Sequence, residues 1–325
     1  MSRRLLPLLA VAGALLVPAT PASAHGGESA NVTSYRTAVT GISSPMSGLS
    51  VRVVEGGARL ELTNDTSRTI EILGYSGEPY LEIRPDGTYQ NTSSPATYIN
   101  ETLAGDTPVP STADVTTAPT WSRISSGTTV RWHDQRTHWT GTAVTSTTTR
   151  HLRDWTVPLR DQARTFEITG TLDYEPAPAA WAWWLTAVLL GLTAAGLAWR
   201  LPRSITPLTL LTAFSVLTYA TSSALDGSGW SGVLLLAAAL GLAAAYRHPP
   251  FFLTLTGFVL AAFAGFGSAD VFFYPVLPTA GPAWLARTAV AATIGLGSGL
   301  ALAGLLQMRA ATPDPVAAPE PLAAS

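Results

Sequence analysis

The chain has 325 residues, 47% of them hydrophobic and 12% charged, with 19 basic residues, 21 acidic ones and no cysteine. Disulfides, thiolate metal sites and cysteine catalysis are excluded, and there is no basic stripe of the kind that nucleic-acid binding needs. The net charge of −2 averages two unlike halves: residues 25–175 are polar and Thr-rich with 17 Asp/Glu against 12 Arg, a net −5, whereas 181–308 are almost free of charge.

Residues 1–24 read as a secretory signal peptide. Arg3 and Arg4 precede an apolar run from Leu5 to Val17, and Ala22-Ser23-Ala24 forms a small-residue cleavage site. Cutting after Ala24 makes His25 the mature N-terminus. A terminal His offers an amine and an imidazole from one residue, a pair suited to Cu(II) in tetragonal geometry.

Residues 25–175 read as short strands. The segments 50–54 and 59–63 alternate around Glu55-Gly56-Gly57-Ala58, a hairpin signal. A strand over 69–73 follows. The segments 81–84 and 88–91 flank Pro85-Asp86-Gly87, where Pro fixes φ and Gly supplies φ > 0. Further strands are expected at 128–133, 138–144, 155–159 and 165–172, with a long loop over 101–120. Eight or so short strands without a helical pattern predict an all-β antiparallel sandwich of the immunoglobulin-like kind. Four Asn-x-Ser/Thr sequons, at Asn31, Asn64, Asn91 and Asn100, are expected to stay bare.

The sharpest local pattern is Arg131-Trp132-His133-Asp134-Gln135-Arg136-Thr137-His138-Trp139. Positions five apart face opposite sides of a strand. A four-residue loop over 134–137 would instead make His133 and His138 cross-strand partners, with Cβ atoms ~5 Å apart. Trp132 and Trp139 would then pair on the other face. Such an imidazole pair, joined by His25, forms a candidate copper site of the histidine-brace type, with Asp134, His151 or Glu28 as further ligands or supports. The alternative is an aromatic hairpin whose histidines are satisfied within the fold. No nucleophile elbow or phosphate-binding Gly loop is present, so no catalytic residues are assigned.

Residues 176–180, with Pro176 and Pro178, form a stiff linker. Five apolar segments follow, at about 181–199, 205–224, 230–246, 251–267 and 284–307, predicting an all-α five-helix transmembrane bundle and a disordered tail over 309–325. Arg200, Arg203, Arg247 and Arg309 follow alternate spans, and Asp226 and Asp270 lie in the intervening loops. The positive-inside rule then puts 25–180 outside a plasma membrane and the C-terminus in the cytoplasm. An Asp270–Arg287 pair is expected at the outer rim. Gly295 and Gly299, in G-x-x-x-G spacing, are expected to pack within the bundle.

The segments 73–80 (Leu73-Gly74-Tyr75-Ser76-Gly77-Glu78-Pro79-Tyr80), 94–100 and 121–139, followed by five spans, resemble an uncharacterised family of bacterial membrane proteins. In layout, an exported β domain that begins with His after an Ala-x-Ala site is similar to periplasmic copper-resistance proteins of the CopC type. That resemblance implies a CopC-like sandwich and copper handling or sensing at the cell surface through His25, His133 and His138. The other reading is a non-enzymatic cell-envelope module that contacts protein or glycan without metal. A terminal His also resembles that of chitin-active copper monooxygenases, a third and weaker reading.

Overall fold

The computed structural model describes residues 22–23 and 32–311, which divide into two compact units. One unit holds 22–23, 35–144 and 149–174 and is built mainly of strands; the other holds 175–311, with 32–34 and 145–148, and is helical.

The β unit contains two sheets. The smaller has the order β1-β9-β4-β3, with β1 Ala22–Ser23, β3 Leu49–Val54, β4 Arg59–Asn64 and β9 Thr129–Trp132. The larger has the order β2-β11-β10-β5-β6-β7-β8, with β2 Tyr35–Ile42, β5 Ile70–Leu73, β6 Pro79–Arg84, β7 Gly87–Asn91, β8 Trp121–Ser125, β10 Arg150–Asp161 and β11 Arg164–Tyr174. Every pairing is antiparallel except the short β1–β9 contact. Both expected hairpins form. β3 pairs β4 from Leu49↔Asn64 to Val54↔Arg59, and β6 pairs β7 from Leu81↔Gln90 to Arg84↔Gly87. Gly87 has φ +149, a conformation that L side chains rarely adopt.

Period-two alternation turns one face of each sheet inward. Leu60, Leu62, Val130 and Trp132 of the smaller sheet share one core with Ile70, Ile72, Leu81, Ile83, Val157 and Ile168 of the larger. Trp155 lies across Gly170, its cross-strand partner, where a Cβ would stand 2.0 Å from the indole. Any other residue there would displace the indole.

Three elements were not visible in the hydrophobic pattern: β2, β8 and a short helix α1, Pro95–Ile99, with Pro at its start and Ser94 accepting from the Ala96 amide. The expected strand over 138–144 does not form; residues 138–149 are irregular.

In the helical unit four helices are long and apolar enough to cross a membrane. They comprise α2 Ala180–Arg200, α3 Ile205–Ser223 with its continuation to Ser228, α5 Pro250–Val259 with its continuation to Phe272, and α6 Ala283–Ala311. The remaining expected span is the 15-residue α4, Gly232–Tyr246, about 22 Å long at 1.5 Å per residue. That is short of the ~30 Å hydrocarbon core. Large apolar side chains on the outer surface, including Leu185, Val188, Leu192, Phe214, Leu236 and Phe258, suit a lipid environment.

α6 is the most enclosed helix, and glycines let it approach its neighbours. A Cβ on Gly295 would lie 2.4 Å from the Ala187 carbonyl, and one on Gly299 2.5 Å from that of Gly191, both on α2. The G-x-x-x-G spacing thus serves packing inside the chain. A Cβ on Gly257 of α5 would meet the Gly297 carbonyl at 2.6 Å.

The helix ends alternate. At one end Thr206 of α3 donates to Ala245 of α4 (3.2 Å) and Gln307 of α6 to Ala198 of α2 (3.4 Å). Arg200, Arg203, Arg247 and Arg309 belong to these ends. At the other end Thr33 bridges Val276 and Ser222 donates to the Ala280 carbonyl. Arg287 does not pair with Asp270. Its guanidinium donates to the carbonyls of Val271 (2.9 Å), Tyr274 (2.8 Å) and Pro275 (3.3 Å), tying down the chain that precedes α6.

Candidate functional site: the 133–138 segment

The segment after β9 folds back by a route other than a hairpin. Asp134 caps a single 3₁₀ turn, Gln135–Thr137, and its carboxylate accepts from the Arg136 amide at 3.1 Å. Asp is a strong N-cap because its side chain satisfies an otherwise orphaned amide. This local bond wins over the extended pairing that the Trp-His…His-Trp order suggested, since such side-chain bonds compete with sheet ladders. The tryptophans diverge accordingly. Trp132 is fully buried and donates to Asp134 Oδ2 (3.0 Å), whereas Trp139 stacks on Tyr35 at 6.1 Å.

Asp134 is completely buried and holds Arg136 in a fork, with Nε to Oδ1 at 2.8 Å and Nη2 to Oδ2 at 2.7 Å. Both carboxylate oxygens are thereby engaged. Arg136 also reaches the Leu73 carbonyl (3.2 Å) and lies over the Tyr75 ring at 4.9 Å. Tyr75 hydroxyl accepts from the Gln135 amide (2.9 Å) and donates to Asn100. Burial, followed by the nearby Asp134 charge, pushes the Tyr75 phenol well above its ordinary range. Arg153 Nη2 closes the far side of the turn, donating to the carbonyls of Gln135 (3.3 Å), Arg136 (3.0 Å) and His138. Thr37 of β2 donates to the Thr137 carbonyl at 2.6 Å.

His133 is buried with both ring nitrogens engaged: Nδ1 with the Ala58 carbonyl (2.7 Å) and Nε2 with Arg59 Nε (3.2 Å). The Arg donor makes Nε2 the acceptor, so Nδ1 carries the proton and donates to Ala58. Arg59 in turn forms a buried ion pair with Glu55 at 2.9 Å, and Glu55 sits at φ +58 in the β3–β4 turn. The turn that the sequence marked as a hairpin signal therefore also delivers the charge that locks His133.

His138 comes near His133 by way of the 3₁₀ turn. Burial, then the His133 ring, lowers its pKa to about 4. Its Nε2 is sealed from solvent without a hydrogen-bond partner. His151 sits apart on β10, exposed, with Nδ1 2.9 Å from Asp173 and Nε2 3.4 Å from Asp154. His25 and Glu28 lie outside the described residues. Among the described residues no three His, Asp or Glu side chains gather in a way that could hold a metal ion.

Three of the sequons are buried. Asn64 donates to the Arg68 (2.8 Å) and Ile83 (3.0 Å) carbonyls and Asn91 to that of Pro79 (2.7 Å), while Asn100 has no exposed surface. Asn31 lies outside the described residues. No family model, curated protein or solved structure matches the chain.

Proposed function

We propose that the protein is a non-enzymatic envelope module: an exported β domain, residues 25–175, carried by a five-segment bundle in the plasma membrane, with the C-terminus in the cytoplasm. The observation that carries this reading is the alternation of helix ends. It gathers Arg200, Arg203, Arg247 and Arg309 at one end of the bundle, as the positive-inside rule asks of a cytoplasmic face. In this reading α4 also crosses, with Trp230 and Tyr246 near its ends as interfacial anchors.

The 133–138 segment serves this domain as a latch that joins β9 to the larger sheet. The residues present fit a copper site poorly. His133 would have to leave both Ala58 and Arg59, and the buried Asp134 would have to release the half-buried Arg136. A signal peptide over residues 1–24 supplies the export step, and its removal takes the two-residue edge strand β1 with it, leaving the smaller sheet as β9-β4-β3.

Protease treatment of intact cells tests the topology, with the full chain carrying a C-terminal epitope. External protease is expected to cut the exposed 101–120 loop and leave an epitope-bearing helical fragment. A full-length chain that is cut only after permeabilisation would contradict the proposal.

A further inference from the structure

Three loops of the β unit converge on a cleft of about 270 Å³ lined by Met46, Ser47, Thr66, Ser67, Arg68 and Arg164. They are the β2–β3 connection, the β4–β5 turn and the β10–β11 turn. The first two are tied by the Asp65 amide, which donates to the Gly48 carbonyl at 2.7 Å. β11 ends ten residues beyond Arg164, so the cleft lies about 33 Å up the strand from Tyr174.

We infer that this cleft binds a phosphoryl group. Its two guanidiniums are pre-positioned from below. Arg68 Nη1 is held at 2.5 Å by Asp161, which is almost fully buried, while the Arg68 side chain is 59% exposed. Arg164 Nη2 donates to Ser44 Oγ at 2.7 Å, and the residue is exposed. Each guanidinium therefore keeps donors facing the opening, and a guanidinium fork matches phosphate oxygens two at a time. Ser47 and Ser67 add hydroxyls at the same opening, while the Thr66 hydroxyl is spent inside its own turn, donating to Asn64 Oδ1 at 2.6 Å. Donors arriving from three loops approach from different directions, which suits the several outward oxygens of a tetrahedral oxyanion better than the planar edge of a carboxylate. The local charge supports the assignment. The domain is acidic overall, yet the lining holds two arginines and no carboxylate. Asp161 is turned onto Arg68, and the nearby Asp65 accepts from Thr128 at 3.3 Å. The site depends on the β unit alone and stands whichever side of a membrane that unit occupies.

The test is calorimetric titration of inorganic phosphate into the full chain held in neutral-lipid nanodiscs. Saturable binding is expected, weakened at least tenfold by Arg164→Gln. That substitution removes no buried pair and so leaves the fold intact. Arg123→Gln, an exposed arginine on β8, is expected to leave the affinity unchanged. Absent binding, or equal losses in both variants, would overturn the inference. Repeating the titration in anionic-lipid nanodiscs separates two sources: an affinity lowered by competition assigns the phosphoryl group to lipid headgroups, and an unchanged affinity to a soluble or polymer-borne phosphate.

Discussion

In the β unit the buried polar groups include Glu55, Arg59, His133 and Asp134, charges and a ring held by named partners. In the helical unit they are mostly hydroxyls. Thr209, Thr212, Ser215 and Thr293 each donate to a carbonyl one turn back in their own helix, at 2.8–3.0 Å. A β domain can bury a charge because loops and neighbouring strands surround it with oriented donors and acceptors. A helix in lipid has its backbone already satisfied, so its polar side chains turn inward and close packing depends on small residues. Specificity therefore rests on ion pairs in one unit and on glycine contacts in the other.

Substitutions can break this contrast, and the largest effect is expected at Asp134. Asp134→Ala leaves Arg136 and the Trp132 indole without their shared acceptor. Breaking a largely buried pair in this way costs about 3 kcal/mol, read as a loss in thermal stability of the β unit by tryptophan fluorescence. A loss below about 1 kcal/mol would mean that the latch is ornamental. Next comes pH. His138 is held neutral, with its pKa near 4 in the fold against 6.5 in the unfolded chain. As pH falls below 6.5 the unfolded chain takes up a proton that the folded one refuses. Stability is thus full above pH 6.5 and declines by about 2–3 kcal/mol on the way to pH 4. His138→Asn is expected to flatten that part of the stability–pH curve; an unchanged curve would contradict the burial of His138.

In the helical unit Gly299→Leu would drive a side chain into the Gly191 carbonyl. Such overpacking costs about 1–3 kcal/mol and is expected to lower the melting of the bundle in detergent without moving that of the β unit. The smallest effect is expected at Arg52, whose side chain is 54% exposed and pairs with Glu61 at 2.5 Å. Burial alone would raise the Glu61 pKa, but Arg52 and Arg131 together hold it below the usual range. Arg131, at 2.6 Å, remains after Arg52→Ala, so less than about 1 kcal/mol is lost.

Much of this architecture was legible in the sequence, for physical reasons that differ from element to element. The β3–β4 and β6–β7 hairpins were readable because Glu55-Gly56-Gly57-Ala58 and Pro85-Asp86-Gly87 carry their own turn chemistry. The apolar helices announced themselves by length. β2 and β8 were not readable. Their burial is partial and irregular, so neither shows clean alternation. The 133–138 segment misled because Trp-His…His-Trp symmetry describes a hairpin only if nothing local competes. Asp134 competes, capping its own turn and taking Trp132 as a donor. The His133 ring does act on His138, but across a 3₁₀ turn and not as a cross-strand partner. The Arg59 bond that occupies His133 had no signal in the sequence, since it spans 74 residues.

The chain lacks cysteine, which makes single-cysteine reporters clean. The most direct test of the central claim places them at three exposed positions in the full chain: Ser126 in the β8–β9 turn, Ser228 before α4 and Leu201 in the turn after α2. With a membrane-impermeant maleimide on intact cells, Ser126→Cys and Ser228→Cys are expected to label, and Leu201→Cys only after permeabilisation. Labelling of Leu201→Cys from outside, with Ser126→Cys protected, would contradict an exported β domain.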